Sequence, residues 1–292
     1  METKTKFKGV IPVAGFGTRF LPITKAQPKE MLPVIDKPVI QYVVEEFIDA
    51  GIDDILMITG REKRVLEDHF DKSIGLEMLL KEKGKKNILR QIKEISNINI
   101  FYTRQKDRKG LGDAILHAEN FVDGNPFIAH VGDTILIDTK NSLKELMKLY
   151  NKHKKPIILF EKVKKEDVEK YGIIEGKKIN ERLYKIEHLV EKPKKENSIS
   201  DMAIIGIYLF DSKIFDCIKK TKPGVGNEIQ ITDAINLLLE EEDVYAYKYS
   251  GKRYDIGNPY LWLTANIEFA LKRDGLREDI IKFIKNLNLS ER

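Results

Sequence analysis

Gly15-Phe-Gly-Thr-Arg19 is the stretch best equipped for chemistry, and Lys25 and Lys29 follow it closely. Gly15 and Gly17 let the backbone approach an anion and permit positive φ, so that N–H groups can point inward. Arg19 offers a planar fork to phosphate oxygens, whereas Lys25 and Lys29 are mobile point charges. Three cations around a Gly-rich turn, with Thr18 inside it, would neutralise a triphosphate. No Gly-Lys-Ser/Thr follows, so the loop is not a Walker A motif; Arg19 and Phe20 stand where a dinucleotide fingerprint needs its third glycine region. A lone Gly-x-Gly would read as a surface turn with solvated lysines. The continuation Pro28-Lys-Glu-Met-Leu-Pro33 makes this one far more specific.

Other candidates are ambiguous by residue type alone. Asp133 closes His130-Val-Gly-Asp133 at the carboxyl end of an apolar run, where it is either a turn former or a ligand residue. Lys192 in Glu191-Lys-Pro193, with Lys194 and Lys195 after it, reads as an exposed charged turn. The single cysteine, Cys217, excludes an internal disulfide and a paired-cysteine zinc site. Five scattered histidines give no metal-ligand spacing, so only oxygen ligands remain for a metal. His117 reads as packed or solvated, and His130 as a neighbour of the site. Asp107 and Arg108 have no assigned role.

The elements that must position these residues follow from periodicity. Phe7–Ala14 reads as a buried strand. After Pro38, Ile40, Val43, Val44, Phe47 and Ile48 share one helical face that Gly51 ends. Strands are predicted at 55–59, 99–103 and 127–131, with helices at 61–70 and 112–121 between them. That rhythm implies a doubly wound α/β fold, a mixed but mainly parallel sheet flanked by helices. Residues 76–93 read as a Lys-rich helical insertion, a solvated lid or interface. Beyond Pro156, strands at 157–163, 172–175, 183–191 and 202–210 follow one another, partly antiparallel and added to the same sheet. Helices at 229–241, 260–273 and 276–287 close the chain. Tyr245, Tyr247 and Tyr249 alternate as on a strand face.

With 292 residues the chain has room for one large α/β domain or two small ones, and no linker divides it. Its 42% hydrophobic and 33% charged residues are those of a globular protein. A net charge of +5 suits small anionic substrates and lacks the basic stripe of nucleic-acid binders. The first apolar segment, Val10–Ala14, is too short for a signal-peptide core, and the longest apolar run, Ala203–Phe210, is too short to span a membrane. A cytoplasmic location is expected, without membrane or nucleic-acid partners.

Six motifs in order carry a resemblance over nearly the whole chain. Ala14-Gly-Phe-Gly-Thr-Arg19 with Lys29-Glu-Met-Leu-Pro33, Arg104-Gln105 with Lys109-Gly-Leu-Gly112, Tyr171-Gly172, Val190-Glu-Lys-Pro193, Asn227-Glu-Ile-Gln-Ile-Thr-Asp-Ala234 and Tyr254-Asp-Ile-Gly257 resemble the sugar-1-phosphate nucleotidylyltransferases. The branch they resemble most is the bacterial and archaeal one that joins UTP to glucose 1-phosphate. The resemblance implies a Rossmann-like fold of the nucleotide-diphospho-sugar transferase type. It implies one domain over 1–292, with a nucleotide-binding half (1–155), a sugar-binding half (156–258) and C-terminal helices (259–292).

The implied reaction gives UDP-glucose and pyrophosphate by in-line attack of a sugar-phosphate oxygen on the α-phosphorus. Both reactants are anions, so charge neutralisation and alignment matter more than proton transfer. By resemblance Arg19, Lys29, Asp133 and Lys192 are the catalytic residues, and Asp133 with Asp255 holds Mg²⁺. Ala14, Gly15, Gly17, Thr18, Lys25, Glu30, Gln105 and Gly110 are the implied nucleotide contacts, with Gln105 reading the uracil edge and Glu30 touching the base or balancing charge. Gly172 and Glu191 would meet the hexose. A homodimer or homotetramer is implied as well. Two alternatives stand beside this reading: a thymidylyltransferase using dTTP, since pockets discriminate one methyl group modestly, and a non-catalytic nucleotide-binding subunit. The second is disfavoured because Arg19, Lys29, Asp133, Lys192 and Asp255 are all present.

Overall fold

Both faces of the first strand are covered in the computed structural model, which describes residues 5–138 and 141–287; Met1–Lys4, the charged opening, lies outside them. Val10 packs with Leu56, Phe127 and Ala129 on one side, and Ile11 with Ile55, Met57 and Ile128 on the other. Two-sided burial explains why these strands read as unbroken apolar runs.

The strands are β1 (Lys8–Val13), β2 (Pro33–Val34), β3 (Lys37–Pro38), β4 (Ile55–Thr59), β5 (Ile100–Arg104), β6 (Phe127–His130) and β7 (Thr134–Ile137). They continue with β8 (Ile157–Lys162), β9 (Gly172–Lys178), β10 (Leu183–Glu191), β11 (Met202–Phe210), β12 (Tyr245–Lys248) and β13 (Lys252–Asp255). The helices are α1 (Val39–Ala50), α2 (Arg64–Phe70), α3 (Ile74–Glu82), α4 (Lys86–Ser96), α5 (Leu111–Leu116) and α6 (Glu119–Val122). After them come α7 (Ser142–His153), α8 (Lys213–Lys220), α9 (Ile231–Glu241), α10 (Pro259–Lys272) and α11 (Arg277–Asn286).

One nine-stranded sheet runs β5-β4-β1-β6-β11-β8-β12-β10-β9. It is mixed, as expected. β5, β4, β1 and β6 are mutually parallel, and β8 is parallel to β12, whereas β11 and β10 pair antiparallel with their neighbours. The chain moves outward from β1 through β4 to β5, then returns to place β6 on the other side of β1. The strand order therefore reverses between β1 and β6, and the crevice beyond their carboxyl ends is where such sheets bind ligands.

Several boundaries differ from the sequence expectation for local reasons. α2 starts at Arg64 and not Arg61, because Glu62 takes a left-handed φ of 73°. The predicted helix over 76–93 is two helices parted at Gly84, whose φ of 64° caps the first. The predicted helix over 112–121 is α5 and α6, because the His117 and Ala118 N–H groups bond three residues back and tighten the turn. The ribbon of β7 with β13, and helices α7 and α8, are additional to the expectation. No helix of the described residues is long and apolar enough to cross a membrane.

Candidate active site

At the reversal point between β1 and β6 opens a cavity of about 250 Å³. Its wall includes Ala14 and Gly15 after β1, Lys29 and Glu30, Gln105 and Gly110 after β5, and Asp133 after β6. Seven sequence-predicted residues thus come from four separate segments. Thr18 and Lys25 are exposed and do not line the cavity.

The Gly-rich turn after β1 is shaped by Gly17, whose φ is 66°. Its carbonyl accepts hydrogen bonds from the Phe20 N–H and the Thr24 hydroxyl. Gly15 has open space around it and needs no positive φ, so its advantage is a bare approach for a ligand. Arg19 Nη1 donates to the Gly257 carbonyl at 3.3 Å. That contact lays the loop against the segment carrying Asp255.

Lys29 Nζ lies 2.5 Å from Asp133 Oδ2. Burial opposes the Lys29 charge, yet Asp133, Glu30 and Asp255 outweigh it and raise its pKa. Burial likewise pushes the Asp133 carboxyl upward, but the Lys29 ammonium outweighs that and holds it below the usual carboxylate range. Asp255 is raised by burial and by the negative Asp133 nearby, against the pull of Arg253 and Lys29. Two carboxylates that feel one another, with hard oxygen donors only, match what Mg²⁺ takes when phosphates and waters complete its shell. Among the described residues no cluster of three or more His, Cys, Asp or Glu competes as a metal site.

Glu30 is buried, and its Oε2 accepts from Lys63 Nζ at 2.8 Å, with Lys63 buried as well. Burial lowers the Lys63 pKa, and the cations Lys29 and Arg108 add to this, against Glu30. Glu30 thereby lies between two lysines, which favours the charge-balancing role. Removing one partner of a buried pair strands the other charge. Lys63→Ala is therefore expected to destabilise the fold by about 3–5 kcal/mol. Chemical denaturation measures it, and a loss below about 1 kcal/mol, the value of an exposed pair, would reject this account.

After β5, Gln105 Nε2 donates to the Gly110 carbonyl at 3.1 Å and to Asp113 Oδ2 at 2.7 Å. Asp113 accepts only, so it fixes the amide orientation and leaves the Gln105 carbonyl oxygen as an acceptor. Gly110 has a φ of 107°, and a Cβ there would fall 2.8 Å from the Ile229 carbonyl oxygen. The close approach lets Gly112 donate to Ile229 O and Ile229 donate to Lys109 O, zipping this loop to the segment before α9.

The residues expected around the sugar gather at the end of β10. Glu191 pairs across the ladder with Gly172, and Glu191 Oε2 accepts from the Thr232 hydroxyl at 3.2 Å. A Cβ on Gly172 would meet Thr232 Cγ2 at 2.8 Å, so packing against α9 requires the glycine independently of any ligand. Lys192 takes a left-handed φ of 45°, donates its N–H to the Tyr171 carbonyl, and holds Nζ 3.3 Å from Glu191 Oε1. The Tyr171 hydroxyl in turn donates toward Asp255 Oδ2 at 3.5 Å.

Arg253, buried behind Asp255, bonds Glu161 through Nε, Asp255 through Nη1 and the Tyr171 hydroxyl through Nη2. Sequence reasoning missed this residue, together with Lys63, Asp113 and Thr232. For Arg253 a signal existed: two residues before Asp255 on one strand, it must share that aspartate's face. His130 is fully buried, with Nδ1 at the Val131 carbonyl and Nε2 3.3 Å from Glu46 on α1, and it is absent from the cavity wall.

A family model described as nucleotidyl transferase matches residues 8–270. A Methanocaldococcus jannaschii protein, provisionally named a UTP–glucose-1-phosphate uridylyltransferase, is 54% identical over 282 residues, 96% of this chain and 99% of its own. UTP–glucose-1-phosphate uridylyltransferase 1 of Staphylococcus saprophyticus is 46% identical, over 96% of this chain and 98% of its own. A crystal structure of UDP-glucose pyrophosphorylase complexed with UDP-glucose is similar with a TM-score of 0.85 and 42% identity, over 92% of this chain and 100% of that one.

Proposed function

The chain belongs to the nucleotidyl transferase family, and from that premise we infer that it is an enzyme transferring a uridylyl group from UTP to glucose 1-phosphate, giving UDP-glucose and pyrophosphate. The observation that carries the assignment of this reaction to a place is the convergence of Lys29, Asp133 and Gln105 on one cavity at the reversal point of the sheet.

In the reaction a phosphate oxygen of glucose 1-phosphate forms a bond to the α-phosphorus as the bond from that phosphorus to the bridging oxygen breaks, and pyrophosphate leaves with the electron pair. Arg19 and Lys29 neutralise the triphosphate, and Lys192 places the attacking phosphate. Glu191 accepts hydrogen bonds from the sugar hydroxyls. Ala14, Gly15, Gly17 and Gly110 let backbone approach the nucleotide, and Thr18 and Lys25 serve its phosphates from the exposed side. The family's divalent metal is taken to be Mg²⁺; Asp133 and Asp255 would hold it, and when bound it supplies charge neutralisation on the phosphates.

The whole chain serves as one nucleotidylyltransferase domain in the cytoplasm. Exposed apolar side chains on α10 and α11, among them Tyr260, Leu263 and Phe283, support a homodimer or homotetramer.

The Gln105 carbonyl oxygen matches the uracil N3–H, whereas cytosine presents an acceptor at N3 and leaves two acceptors facing each other. Pyrophosphate release with Mg²⁺ and glucose 1-phosphate is therefore expected to be strong with UTP and at least tenfold weaker with CTP, ATP and GTP, the loss a mismatched polar edge produces. Preference for dTTP would move the chain to the thymidylyl reaction with the same residues in the same roles. Silence with every nucleotide would overturn the catalytic reading.

A further inference from the structure

We propose that Arg108 is a positioning residue that clamps the phosphate loop to the base-reading loop and so sets the affinity for UTP; the proposal rests on the reading that the cavity binds that nucleotide. Arg108 Nε donates to the Ala14 carbonyl at 2.6 Å. Its guanidinium carbon sits 3.4 Å from the centroid of the Phe16 ring, an aromatic that remains 63% exposed in the middle of the Gly-rich turn. A Cβ on Gly60, just past β4, would fall 2.9 Å from Nη2, so the guanidinium lies directly against that backbone. One side chain from the loop after β5 therefore touches the ends of β1 and β4.

These contacts have a consequence for binding. Ala14 and Gly15 line the same cavity as Gln105 and Gly110, and Arg108 itself is part of that wall. Gly15 and Gly17 make the turn intrinsically pliable, and ordering a pliable loop costs affinity at the moment a ligand binds. Arg108 meets that cost in advance by a planar stack and a charge-assisted hydrogen bond, a combination that lysine cannot reproduce. Phe16 is the other half of the device: without the ring, the guanidinium keeps one hydrogen bond but no face to lie on.

The test is calorimetric titration of the full chain with UTP in the absence of glucose 1-phosphate, paired with steady-state kinetics. Arg108→Ala is expected to raise the UTP Kd and the KM for UTP by about tenfold or more, the size of a desolvated cation–π contact plus a charged hydrogen bond. The KM for glucose 1-phosphate should stay within about twofold, because the contacts of the clamp are with Ala14, Phe16 and Gly60 and not with Glu191 or Lys192. Arg108→Lys should behave like the alanine variant, and Phe16→Leu should weaken UTP binding alone but add little on top of Arg108→Ala. Wild-type affinity in Arg108→Lys would replace the clamp by simple charge attraction. Tighter binding in Arg108→Ala would make the side chain a plug on Ala14, and additive Phe16 and Arg108 effects would break the link between them. Failure of the unaltered chain to bind UTP would instead count against the nucleotide site itself.

Discussion

Replacing Lys192 by alanine lowers turnover with UTP and glucose 1-phosphate on the order of 10²–10³-fold, the loss seen when one charge-stabilising donor leaves an active site, while the unfolding midpoint hardly moves. The structure gives both halves of this expectation. The side chain of Lys192 is 44% exposed and its ion-pair partner is the neighbouring Glu191 at 3.3 Å. Exposed pairs of that kind contribute about 0–1 kcal/mol, so little stability is at stake. Yet the backbone holds Lys192 at a φ of 45°, a conformation that a lysine adopts at some cost and that glycine would adopt freely. A strained lysine with little structural return is one whose ammonium is needed where the strain puts it. Kinetics of the variant beside its thermal unfolding curve decide the matter. A turnover near that of the unaltered chain would remove Lys192 from the mechanism, and a large loss of stability would show that the position serves folding.

Asp133→Asn is the second substitution with a large expected effect. It exchanges a carboxylate oxygen for an amide at the atom that meets Lys29 Nζ. Three interactions change together: the ion pair with Lys29, the repulsion that Asp133 exerts on Asp255, and the charge available to a divalent cation. Neutralising developing phosphate charge is worth several kcal/mol, and each 1.36 kcal/mol is tenfold in rate, so turnover should fall on the order of 10³-fold. The Mg²⁺ concentration needed for half-maximal rate should rise in parallel, as should the concentration for direct binding of Mn²⁺ followed by its paramagnetic signal. The same change lets the Asp255 carboxyl ionise more readily, because one of the two causes raising it is gone. An unaltered Mg²⁺ requirement in this variant would take Asp133 out of the metal site.

How much of this could be read beforehand differs from residue to residue. Gly51 as the end of α1, and the strands at 55–59 and 202–210, were legible because each closes or forms an apolar stretch bounded by turn-forming residues, whereas 183–191 is a strand of mixed apolar and charged residues. Helix α7 carries a helical apolar face in Leu143, Leu146 and Tyr150, interrupted by Lys144, Glu145 and Lys148, and it stands outside the predicted elements. β7 and β13 are short and gain their ladder only from each other. β13, Lys-Arg-Tyr-Asp, has no apolar pattern, and the three apolar residues of β7 are too few to mark a strand by themselves.

The sequence by itself determined the chemical inventory: a Gly-rich turn ending in a cation at Gly15–Arg19, a lysine in Lys29-Glu-Met-Leu-Pro33, carboxylates at Asp133 and Asp255, and Lys192 before a proline. Each motif is contiguous in the chain, so its residue types and spacing are visible without the fold. What only the tertiary structure decided is which of these groups meet and what restrains them. Glu30 finds Lys63, Asp255 finds Tyr171, and Ala14 and Phe16 find Arg108, each across a long stretch of chain that the tertiary fold closes and no local pattern announces. Such partners cannot be inferred from periodicity, because burial and electrostatic pairing depend on which strand ends the sheet brings side by side, and that is fixed by packing over the whole chain.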